Sequence, residues 1–462
     1  MPSTSSSSIP IAIVGIAAQL PSGHAAPTNF DHKEFFDFLL DKGEAYERIP
    51  MERFNIDSYK GTDLGHVCTE YGAFLKHTDQ LDHVELGITS KDAKSMSVST
   101  RKLIELSFLA LLDSGIDYRG QNVGCFASGI VFDVLSLSEP DEFEARGSFG
   151  GPPAMIANRI SYHLDLLGPS VPVDTACSSS LTATHLAVQS IRSGDCDSAV
   201  VGGIQLNHRF VDWVQYSQGG ILAPDGKCKP FDASADGFSR GEAGVAVVLK
   251  RLDKAMEDGD HIYATILGTG INSSGSAAPV NAPVATAQRD AMQRAWKQSG
   301  RDPKEVDFVE VHATGTAAGD PTEANWVGEV FHRDDELLLG SVKGNIGHTE
   351  IAAFLASLAK AINIFRTGVI PPNVNLTTLN PRIKWDEYRL RVPVEQTPLP
   401  CRSKTGRSLI ALSSSGIGGS NGHVVLEAPP AKPLSNGEQP DILDLSRPLL
   451  LMAAALSPLD IR

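Results

Sequence analysis

The sequence predicts an α/β protein that is built from two similar halves. An apolar run over Ile9–Gly15 that ends in small residues is typical of a buried strand, and the same pattern recurs at Tyr263–Gly270. Strand-like runs alternate with helical patterns in both parts of the chain, which is characteristic of α/β proteins. The length of 462 residues exceeds the size at which a single hydrophobic core keeps growing. A duplicated core accounts for both the length and the recurring pattern.

Four segments show this alternation most clearly. Apolar residues at helical spacing predict helices at Arg101–Ser114 and Ala285–Ser299. Runs of small and β-branched apolar residues predict strands at Ala199–Leu206 and Glu242–Leu249. We therefore expect strands and helices to follow one another throughout the chain.

The chain divides into four parts. Residues 1–8 form a polar leader that we expect to be disordered, residues 9–260 form the N-terminal half, and residues 261–427 form the C-terminal half. Residues 428–462 begin rich in proline and turn residues and end in an apolar stretch, which indicates a linker followed by the start of a further region. The chain is therefore expected to be a piece of a larger polypeptide.

The composition excludes several classes of function. The net charge of -15, from 55 acidic and 40 basic residues, disfavours binding to DNA or RNA, which depends on basic residues that neutralise phosphates. The six cysteines are scattered and form no C-x-x-C pair, so we expect neither a metal site nor a disulfide framework. No Lys or Arg precedes the first apolar stretch, and no apolar run reaches membrane-spanning length. We expect a cytoplasmic protein without a membrane segment.

The strongest local signal surrounds Cys177 in the segment PSVPVDTACSSSL. A strand is predicted at Val171–Asp174, and helical spacing follows Cys177 up to Gly194, a good residue to end a helix. Cys177 is thus predicted to lie on a strand-to-helix turn. Free backbone N–H groups and the helix dipole at such a turn stabilise a thiolate, so we expect a lowered thiol pKa and a nucleophilic cysteine.

Two histidines occupy similar places in the second half. A strand predicted at Val306–Val311 ends at His312, and a helix start follows, with Asp320 as N-cap and Glu323 as the capping-box glutamate. A second strand is predicted at Leu337–Lys343, and His348 opens a helix that stops near Gly368. Ligands and catalytic groups gather at the carboxyl ends of strands in α/β proteins, so both histidines are candidates to meet Cys177.

Two glycine-containing motifs point in different directions. The turn in SSSGIGGSNGHVVLE, residues 413–427, lacks the third glycine of a phosphate-binding loop and leads into a strand. We expect it to bring backbone N–H groups to a reacting carbonyl instead. The segment GFSRG, residues 237–241, matches the nucleophile elbow of hydrolases, but a strand follows it where the elbow needs a helix. Ser239 is therefore not expected to be a nucleophile.

The segments DTACSSS, VEVHATGTAAGDPTE and GSVKGNIGHTE together resemble the nucleophile, first-histidine and second-histidine motifs of β-ketoacyl synthases. The resemblance is closest to the ketosynthase domain of type I polyketide synthases, of the iterative kind in preference to the modular kind, and covers nearly all of residues 9–427. It implies a thiolase-like duplicated αβαβα sandwich, which agrees with the two halves inferred above. It also implies a homodimer, and a linker or acyltransferase region after residue 427.

The resemblance implies decarboxylative Claisen condensation during polyketide chain elongation. Cys177 would carry the acyl chain as a thioester, and His312 and His348 would assist loss of CO2 from a malonyl unit and hold the enolate oxygen. Residues in supporting roles would be Lys343, Glu323 and Glu350. Helix capping accounts equally well for Glu323.

Substrates of this family arrive on the phosphopantetheine arm of an acyl carrier protein. Thr314 and Thr316 match threonines that bind this arm, and the N–H groups of Cys177 and Ile417 match an oxyanion hole. The expected partners are the carrier protein, further domains of the same synthase and a second copy of the chain. No cofactor is expected to be bound by the domain itself.

Some residues depart from the family pattern. Ser415 and Ile417 stand in the glycine-rich turn where the family often has phenylalanine, and the bulky Phe354 stands where glycine is common. We expect these three residues to reshape the gate and the pocket. Two alternatives stay open: a Cys-His acyl hydrolase or transferase that uses no malonyl partner, and a silent scaffold homologue, which would be expected to lack the nucleophile.

Overall fold

The computed structural model describes residues 9–131 and 151–430. The predicted leader (1–8) and most of the predicted linker region (from residue 431) lie outside the described residues. The helices are α1 (His32–Leu40), α2 (Ser90–Ser95), α3 (Val98–Ser114), α4 (Met155–Leu164), α5 (Ser179–Ser193), α6 (Phe210–Gln218), α7 (Leu252–Glu257), α8 (Ala285–Ser299), α9 (Gly319–Val330), α10 (Lys343–Ile346), α11 (Ala353–Thr367) and α12 (Trp385–Tyr388).

The strands alternate with these helices. They are β1 (Ile11–Gln19), β2 (Tyr46–Arg48), β3 (Tyr71–Ala73), β4 (Val123–Ser128), β5 (Ser170–Pro172), β6 (Ser198–Gln205), β7 (Ala243–Arg251), β8 (Ala264–Ser273), β9 (Phe308–Glu310), β10 (Leu337–Gly340), β11 (Val369–Ile370), β12 (Leu390–Arg391), β13 (Thr397–Pro398), β14 (Leu409–Ser415) and β15 (Ser420–Glu427). The elements predicted around residues 101–114, 199–206, 242–249 and 285–299 are confirmed as α3, β6, β7 and α8.

The strand order reveals the duplication. The main sheet runs β12-β10-β9-β14-β15-β8-β1-β7-β6-β4-β5. In the first half, β6, β4 and β5 are parallel and β7 is antiparallel to both β6 and β1. In the second half, β14, β9 and β10 are parallel and β15 is antiparallel to both β14 and β8. Apart from β12, which adds an edge strand beside β10 in the second half, each half repeats the order third, second, fourth, fifth, first, so the predicted duplication is confirmed.

The two half-sheets join through their first strands. β1 and β8 pair antiparallel over three residues each, from Ile11 opposite Ile266 to Ile13 opposite Ala264. β1 pairs along nearly its whole length with β7 of its own half. The short junction therefore links the halves, while each half keeps its own pairing.

Side chains on alternating faces of the strands build the layers. In β7, Val245, Val247 and Leu249 face a central core with α5 and α11, while Ala246 and Val248 face an outer core with α3 and α4. The second half has its own outer core, which includes residues of α8, α9, β9 and β14. The successive layers are helices, sheet, central helices, sheet and helices. The predicted αβαβα sandwich is confirmed.

Two details of the second half differ from the prediction. The strand predicted over 337–343 ends at Gly340, and Lys343 begins the short helix α10. The helix predicted to open at His348 is preceded by a 3-10 turn, and α11 begins only at Ala353 before it ends at Gly368. Among residues 9–131 and 151–430, no helix combines the length and the hydropathy of a membrane span.

Glycines in the first strand of each half allow an outer helix to approach closely. A Cβ added at Gly15 of β1 would overlap the carbonyl oxygen of Ala110 in α3. A Cβ added at Gly268 of β8 would likewise overlap the carbonyl oxygen of Ala295 in α8. Because these neighbours are backbone atoms, they cannot move aside without shifting a helix.

We expect Gly268→Ala to lower the free energy of unfolding by about 1–3 kcal/mol, the usual cost of overpacking a well-packed core. Urea denaturation measures the change. The control is Gly202→Ala in β6, where the added Cβ would meet the end of the Leu103 side chain at 3.1 Å. This side chain can give way, so a smaller loss is expected, and equal losses in both variants would contradict the assignment of a backbone clash.

Candidate active site

Cys177 lies on the predicted strand-to-helix turn between β5 and α5. One aspartate and one serine side chain fix the turn: the Ala176 N–H donates to Asp174 Oδ1 (3.0 Å), and the Thr175 N–H donates to Ser179 Oγ (2.8 Å). Ala176 takes a φ of 55°, a value uncommon for a residue with a side chain. The turn leaves the Cys177 side chain half-buried, two residues before α5 begins.

The hairpin of β14 and β15 closes over this cysteine. Ser414 Oγ donates to the carbonyl oxygen of Cys177 (2.8 Å), and the Gly416 N–H donates to the carbonyl oxygen of Ser420 (2.7 Å). A Cβ at Gly416 would overlap the carbonyl oxygen of Thr175, so this approach requires glycine. The turn directs the N–H of Ile417 at the Cys177 thiol. These contacts bring together the two residues predicted as an oxyanion hole.

The thiol is neutral at pH 7. Burial and, to a smaller degree, the nearby Glu350 carboxylate raise the pKa of Cys177 to about 12. The N–H groups of Ile417 and of Cys177 itself and the Lys343 ammonium lower this pKa without overcoming the rise. The lowered pKa that the turn alone predicts is therefore wrong, because the hairpin and the second half enclose the turn.

The two predicted histidines meet at the same site. The His312 and His348 rings lie edge to face, with centroids 5.1 Å apart and an angle of 87° between the planes. Both Nδ1 atoms are buried and have no hydrogen-bonding partner among the described residues.

Both imidazoles are neutral at pH 7. Burial holds the pKa of His312 well below its usual range, and Lys343 lowers it further. Burial also lowers the pKa of His348, with smaller contributions from His312, Lys343 and Arg240. A neutral imidazole can donate one hydrogen bond from an N–H without bringing a charge into the site.

Two buried carboxylates hold the loop that carries His312. Glu323 accepts hydrogen bonds from the N–H groups of His312 and Ala313, both at 2.8 Å. Asp320 accepts from the N–H of Phe231 (2.9 Å) and of Gly315 (3.1 Å). The predicted N-cap and capping box are therefore wrong: α9 begins at Gly319, and its acidic residues bind the preceding loop instead of their own helix start.

Burial raises the pKa of Asp320 to about 6 and that of Glu323 to about 7, although their backbone donors lower both values. At pH 8 the Glu323 carboxylate is ionised and accepts both N–H groups. Its two oxygens accept one hydrogen bond each and so orient the backbone of His312 and Ala313, just after the end of β9.

We expect Glu323→Gln to lower the free energy of unfolding at pH 8 by about 1–3 kcal/mol, because one oxygen becomes an NH2 group that faces an N–H donor. Urea denaturation measures the loss. Glu329→Gln on the same helix is the control, since Glu329 is exposed and forms a surface ion pair with Arg289. A change of less than about 1 kcal/mol is expected there. Equal stability of Glu323→Gln and the parent would contradict the role of these two hydrogen bonds in holding the His312 loop.

Lys343 is buried close to the two histidines. Burial lowers the pKa of its ammonium, while the carboxylates of Glu310 and Glu323 raise it. Glu310 also accepts from the N–H of Val342 (2.7 Å), which ties the end of β9 to the start of α10. The predicted supporting residue thus lies within the electrostatic reach of the thiol.

Glu350 follows His348 in a strained conformation with a φ of 39°. Its carboxylate accepts from Arg240 Nε (2.8 Å) and from the Tyr216 hydroxyl (3.0 Å). Sequence reasoning missed Arg240 and Tyr216, because their partner lies more than one hundred positions further along the chain. The one signal that could have found Arg240 is its place in a glycine-containing segment that matches a catalytic motif.

A cavity of about 250 Å³ collects most of the predicted site residues. Its lining includes the following members of that set: Cys177, His312, Thr314, Thr316, Glu323, His348, Ser415 and Ile417. Thr314 and Thr316 lie side by side, with their hydroxyl oxygens 3.5 Å apart. Phe354 is buried in the central core and is not part of this lining.

The gate residues lie at different depths. Ile417 is 53% exposed at the turn of the hairpin. The hydroxyl of Ser415 accepts from Gln288 Nε2 (3.0 Å), and Gln288 Oε1 in turn accepts from Trp326 Nε1 (2.8 Å). Gln288 lines the cavity but was not predicted, because a glutamine within a helix has no distinctive sequence signal. All six cysteines are free, and the described residues contain no cluster suited to a metal ion.

Family models match almost the whole chain. The N-terminal domain of β-ketoacyl synthase matches residues 8–255, the C-terminal domain matches 263–377, and the ketoacyl-synthetase C-terminal extension matches 380–457. The chain belongs to the β-ketoacyl synthase family. One cavity of this family member is lined by a thiol and two histidines.

Relatives of this ketosynthase include much longer proteins. A highly reducing polyketide synthase of Strobilurus tenacellus is 56% identical over 449 residues, which cover 97% of this chain and 16% of the relative. A phenolphthiocerol/phthiocerol polyketide synthase subunit of Mycobacterium tuberculosis is 39% identical over 430 residues, which cover 90% of this chain and 22% of the relative. The chain thus spans about one sixth to one fifth of these relatives.

Solved ketosynthase structures share the fold. The oxazolomycin ketosynthase domain of Streptomyces albus has a TM-score of 0.84 at 31% identity, and the match covers 92% of this chain and 75% of that one. A ketosynthase from the bacillaene synthase of Bacillus subtilis has a TM-score of 0.83 at 32% identity, over 91% of this chain and 72% of that one. The predicted thiolase-like fold and the predicted acyltransferase class of a polyketide ketosynthase are confirmed.

Proposed function

We propose that Cys177 carries the acyl chain and that His312 and His348 act on a malonyl unit bound to an acyl carrier protein. The observation that carries this proposal is the meeting of one thiol with two neutral imidazoles in a single cavity. Carbon–carbon bond formation needs an electrophilic thioester and a carbanion equivalent. The thiol can form the thioester, and the two imidazoles can stabilise the enolate that serves as the carbanion equivalent.

The first step transfers the acyl chain. The Cys177 sulfur attacks the carbonyl of an acyl thioester, the new thioester forms, and the thiol proton leaves with the pantetheine thiol. The N–H groups of Cys177 and Ile417 stabilise the oxyanion of the tetrahedral intermediate. Because the thiol is neutral at rest, its proton leaves as the sulfur attacks, and Lys343 stabilises the negative charge on sulfur while the proton departs.

The second step uses the malonyl unit. Cleavage of its bond to the carboxylate releases CO2 and leaves an enolate, whose oxygen accepts hydrogen bonds from His312 and His348. The enolate carbon attacks the Cys177 thioester, the β-ketoacyl product stays on the carrier protein, and the released thiolate takes up one proton. Neutral imidazoles suit this role, because they donate hydrogen bonds without repelling Lys343.

Thr314 and Thr316 are proposed to hydrogen-bond the phosphopantetheine arm that brings both substrates. Their side chains line the same cavity as the thiol, on the loop that also carries His312. The clamp from Asp320 and Glu323 fixes this loop, so one set of buried carboxylates would position both the arm and the first histidine.

We expect Cys177→Gln to abolish condensation and to retain decarboxylation of malonyl carrier protein. The amide carbonyl of Gln occupies the position of the thioester carbonyl and leaves both imidazoles intact. His348→Ala should slow decarboxylation by about two to three powers of ten, as for a typical oxyanion-hole donor. The measurement is CO2 release from malonyl carrier protein by the parent and both variants.

Equal loss of decarboxylation in the two variants would mean that Cys177 takes part in that step, and the division of roles would be wrong. Hydrolysis of acyl thioesters by a parent enzyme that releases no CO2 from malonyl carrier protein would favour the acyl hydrolase. Inactivity of the parent towards both substrates would favour the silent scaffold.

We also propose that the chain works as a homodimer within a longer synthase that reduces its polyketide, as the name of the Strobilurus relative suggests. The carrier protein and the other domains would belong to the same polypeptide, and the cytoplasmic location stays a prediction. One feature supports a second copy: β5 ends the main sheet, and nearby Tyr162 and Leu167 are 76% and 66% exposed.

Light scattering at micromolar concentration should give twice the chain mass of 49.2 kDa, because large obligate interfaces persist on dilution. A Leu167→Glu variant, which places a charge beside β5, the outer strand of the sheet among the described residues, should shift the mass towards the monomer. A monomeric parent would refute the dimer.

A further inference from the structure

The segment of residues 237–241 resembles a nucleophile elbow in sequence but contacts the second histidine in the structure. Ser239 is buried, and its carbonyl oxygen accepts from the His348 N–H (2.7 Å). The Gly241 N–H donates to the His348 carbonyl oxygen (2.9 Å), and Arg240 forms a parallel β-bridge with His348. Both backbone groups of His348 are therefore fixed by this segment.

Side chains and glycines of the segment tighten the contact. The Phe238 ring lies edge to face with the His348 imidazole, with centroids 5.2 Å apart. A Cβ at Gly241 would overlap the carbonyl oxygen of Ile346. The segment thus packs against the His348 imidazole through Phe238 and against the backbone of Ile346 through Gly241.

The Arg240 side chain reaches the carboxylate that follows this histidine. Arg240 Nε and Glu350 Oε1 lie 2.8 Å apart, and the exposed fractions of these side chains are 1% and 7%. The guanidinium carbon lies 5.1 Å from the Trp213 ring centroid and 4.8 Å from that of Tyr216. The Tyr216 hydroxyl donates to the second oxygen of Glu350. Cation–π contacts and a buried ion pair therefore hold the guanidinium in one place.

We propose that Arg240 is a positioning residue for condensation: it neutralises Glu350 beside the second histidine and, with the bridge from Ser239 and Gly241, fixes the His348 imidazole. The proposal rests on the function proposed above for His348 and Cys177. The proposed function requires no charge at residue 240, so that function can hold even if Arg240 has no positioning role.

The charge of Glu350 matters because it acts on the nucleophile. Glu350 faces Arg240 and the Tyr216 hydroxyl, and its charge raises the pKa of the Cys177 thiol, while Lys343 lowers that pKa. Loss of Arg240 would leave the carboxylate buried without its cation. The thiol would then ionise at still higher pH.

Arg240 also acts on the histidine. His348 faces His312, Lys343 and Arg240, and all three lower its pKa, in addition to the larger effect of burial. Asp212 faces Arg240 from α6 and raises the pKa of the guanidinium. Removal of the Arg240 charge would therefore raise the pKa of His348 and shift the acid limb of a reaction that needs the neutral imidazole to higher pH.

The test compares Arg240→Gln with the double variant Arg240→Gln/Glu350→Gln. In Arg240→Gln, alkylation of Cys177 by iodoacetamide at pH 8 should slow by about tenfold, as expected for a rise of one unit in the thiol pKa. Decarboxylation of malonyl carrier protein should fall by about tenfold or more, with its acid limb at higher pH. The double variant should recover the alkylation rate to within about threefold of the parent, because it removes both buried charges together, while the acid limb of decarboxylation should stay at higher pH because Arg240 is still absent.

Arg53→Gln is the matched control. Arg53 forms another buried ion pair, with 2.7 Å between its Nη2 and Glu242 Oε2, and Glu242 is not among the main groups that shift the pKa of the Cys177 thiol. This variant should lose stability and keep the pH profile of Cys177 alkylation. If Arg240→Gln does not fold, Tyr216→Phe takes its place: it removes one hydrogen bond to Glu350, keeps the ring beneath Arg240, and should slow alkylation in the same direction.

Two results would overturn the proposal. The first is an unchanged alkylation profile and an unchanged decarboxylation rate in Arg240→Gln or, if that variant does not fold, in Tyr216→Phe. The second is a double variant that folds and is no faster than the single variant, which would indicate a role in packing alone. Alkylation of Cys177 needs no malonyl substrate. A parent that fails to decarboxylate malonyl carrier protein would therefore contradict the proposed function, while the alkylation rates would still test the role of Arg240.

Discussion

Hydrogen bonds from loop backbone to buried carboxylates hold the site together. Glu323 and Asp320 bind the loop after β9, and Glu310 binds the chain after β10. A buried carboxylate is costly unless donors surround it, and a loop without sheet or helix partners leaves N–H groups that need acceptors. The buried carboxylates accept hydrogen bonds from the loop N–H groups, so each group supplies the partner that the other needs. The loop that carries His312 is therefore fixed without belonging to a regular element, while the backbone of His348 is held by Ser239 and Gly241.

The same burial sets the protonation states. It raises the pKa of the Cys177 thiol and lowers those of both imidazoles, so the three reacting groups are neutral together. Charged side chains surround these three neutral groups: Lys343 and the ion pair of Arg240 and Glu350. Because a low-dielectric site strengthens each of these interactions, the placement of the outer charges can tune the inner groups.

The duplication explains how distant residues meet. Cys177 follows β5, the third strand of its half, and precedes the central helix α5; His348 follows β10, the third strand of the other half, and precedes the central helix α11. The two helix starts approach each other near Gly203, where an added Cβ would contact both Ser180 and Ala352. Equivalent positions in the two halves thus supply different chemistry to one cavity, a thiol from the first and an imidazole from the second.

The sequence by itself determined the α/β class, the two halves and the turn that carries Cys177, because periodicity and turn residues are local signals. It also singled out His312, His348 and the glycine-rich hairpin, since each stands at the end of a predicted strand or in a distinctive motif. It failed where partners are distant in the chain. Glu323 looked like a helix cap but binds the loop before it, and Phe354 looked like a pocket residue but lies in the central core. The ionisation of the thiol and the pairing of Arg240 with Glu350 were decided only by the tertiary structure, because burial and charge depend on the elements that enclose a residue.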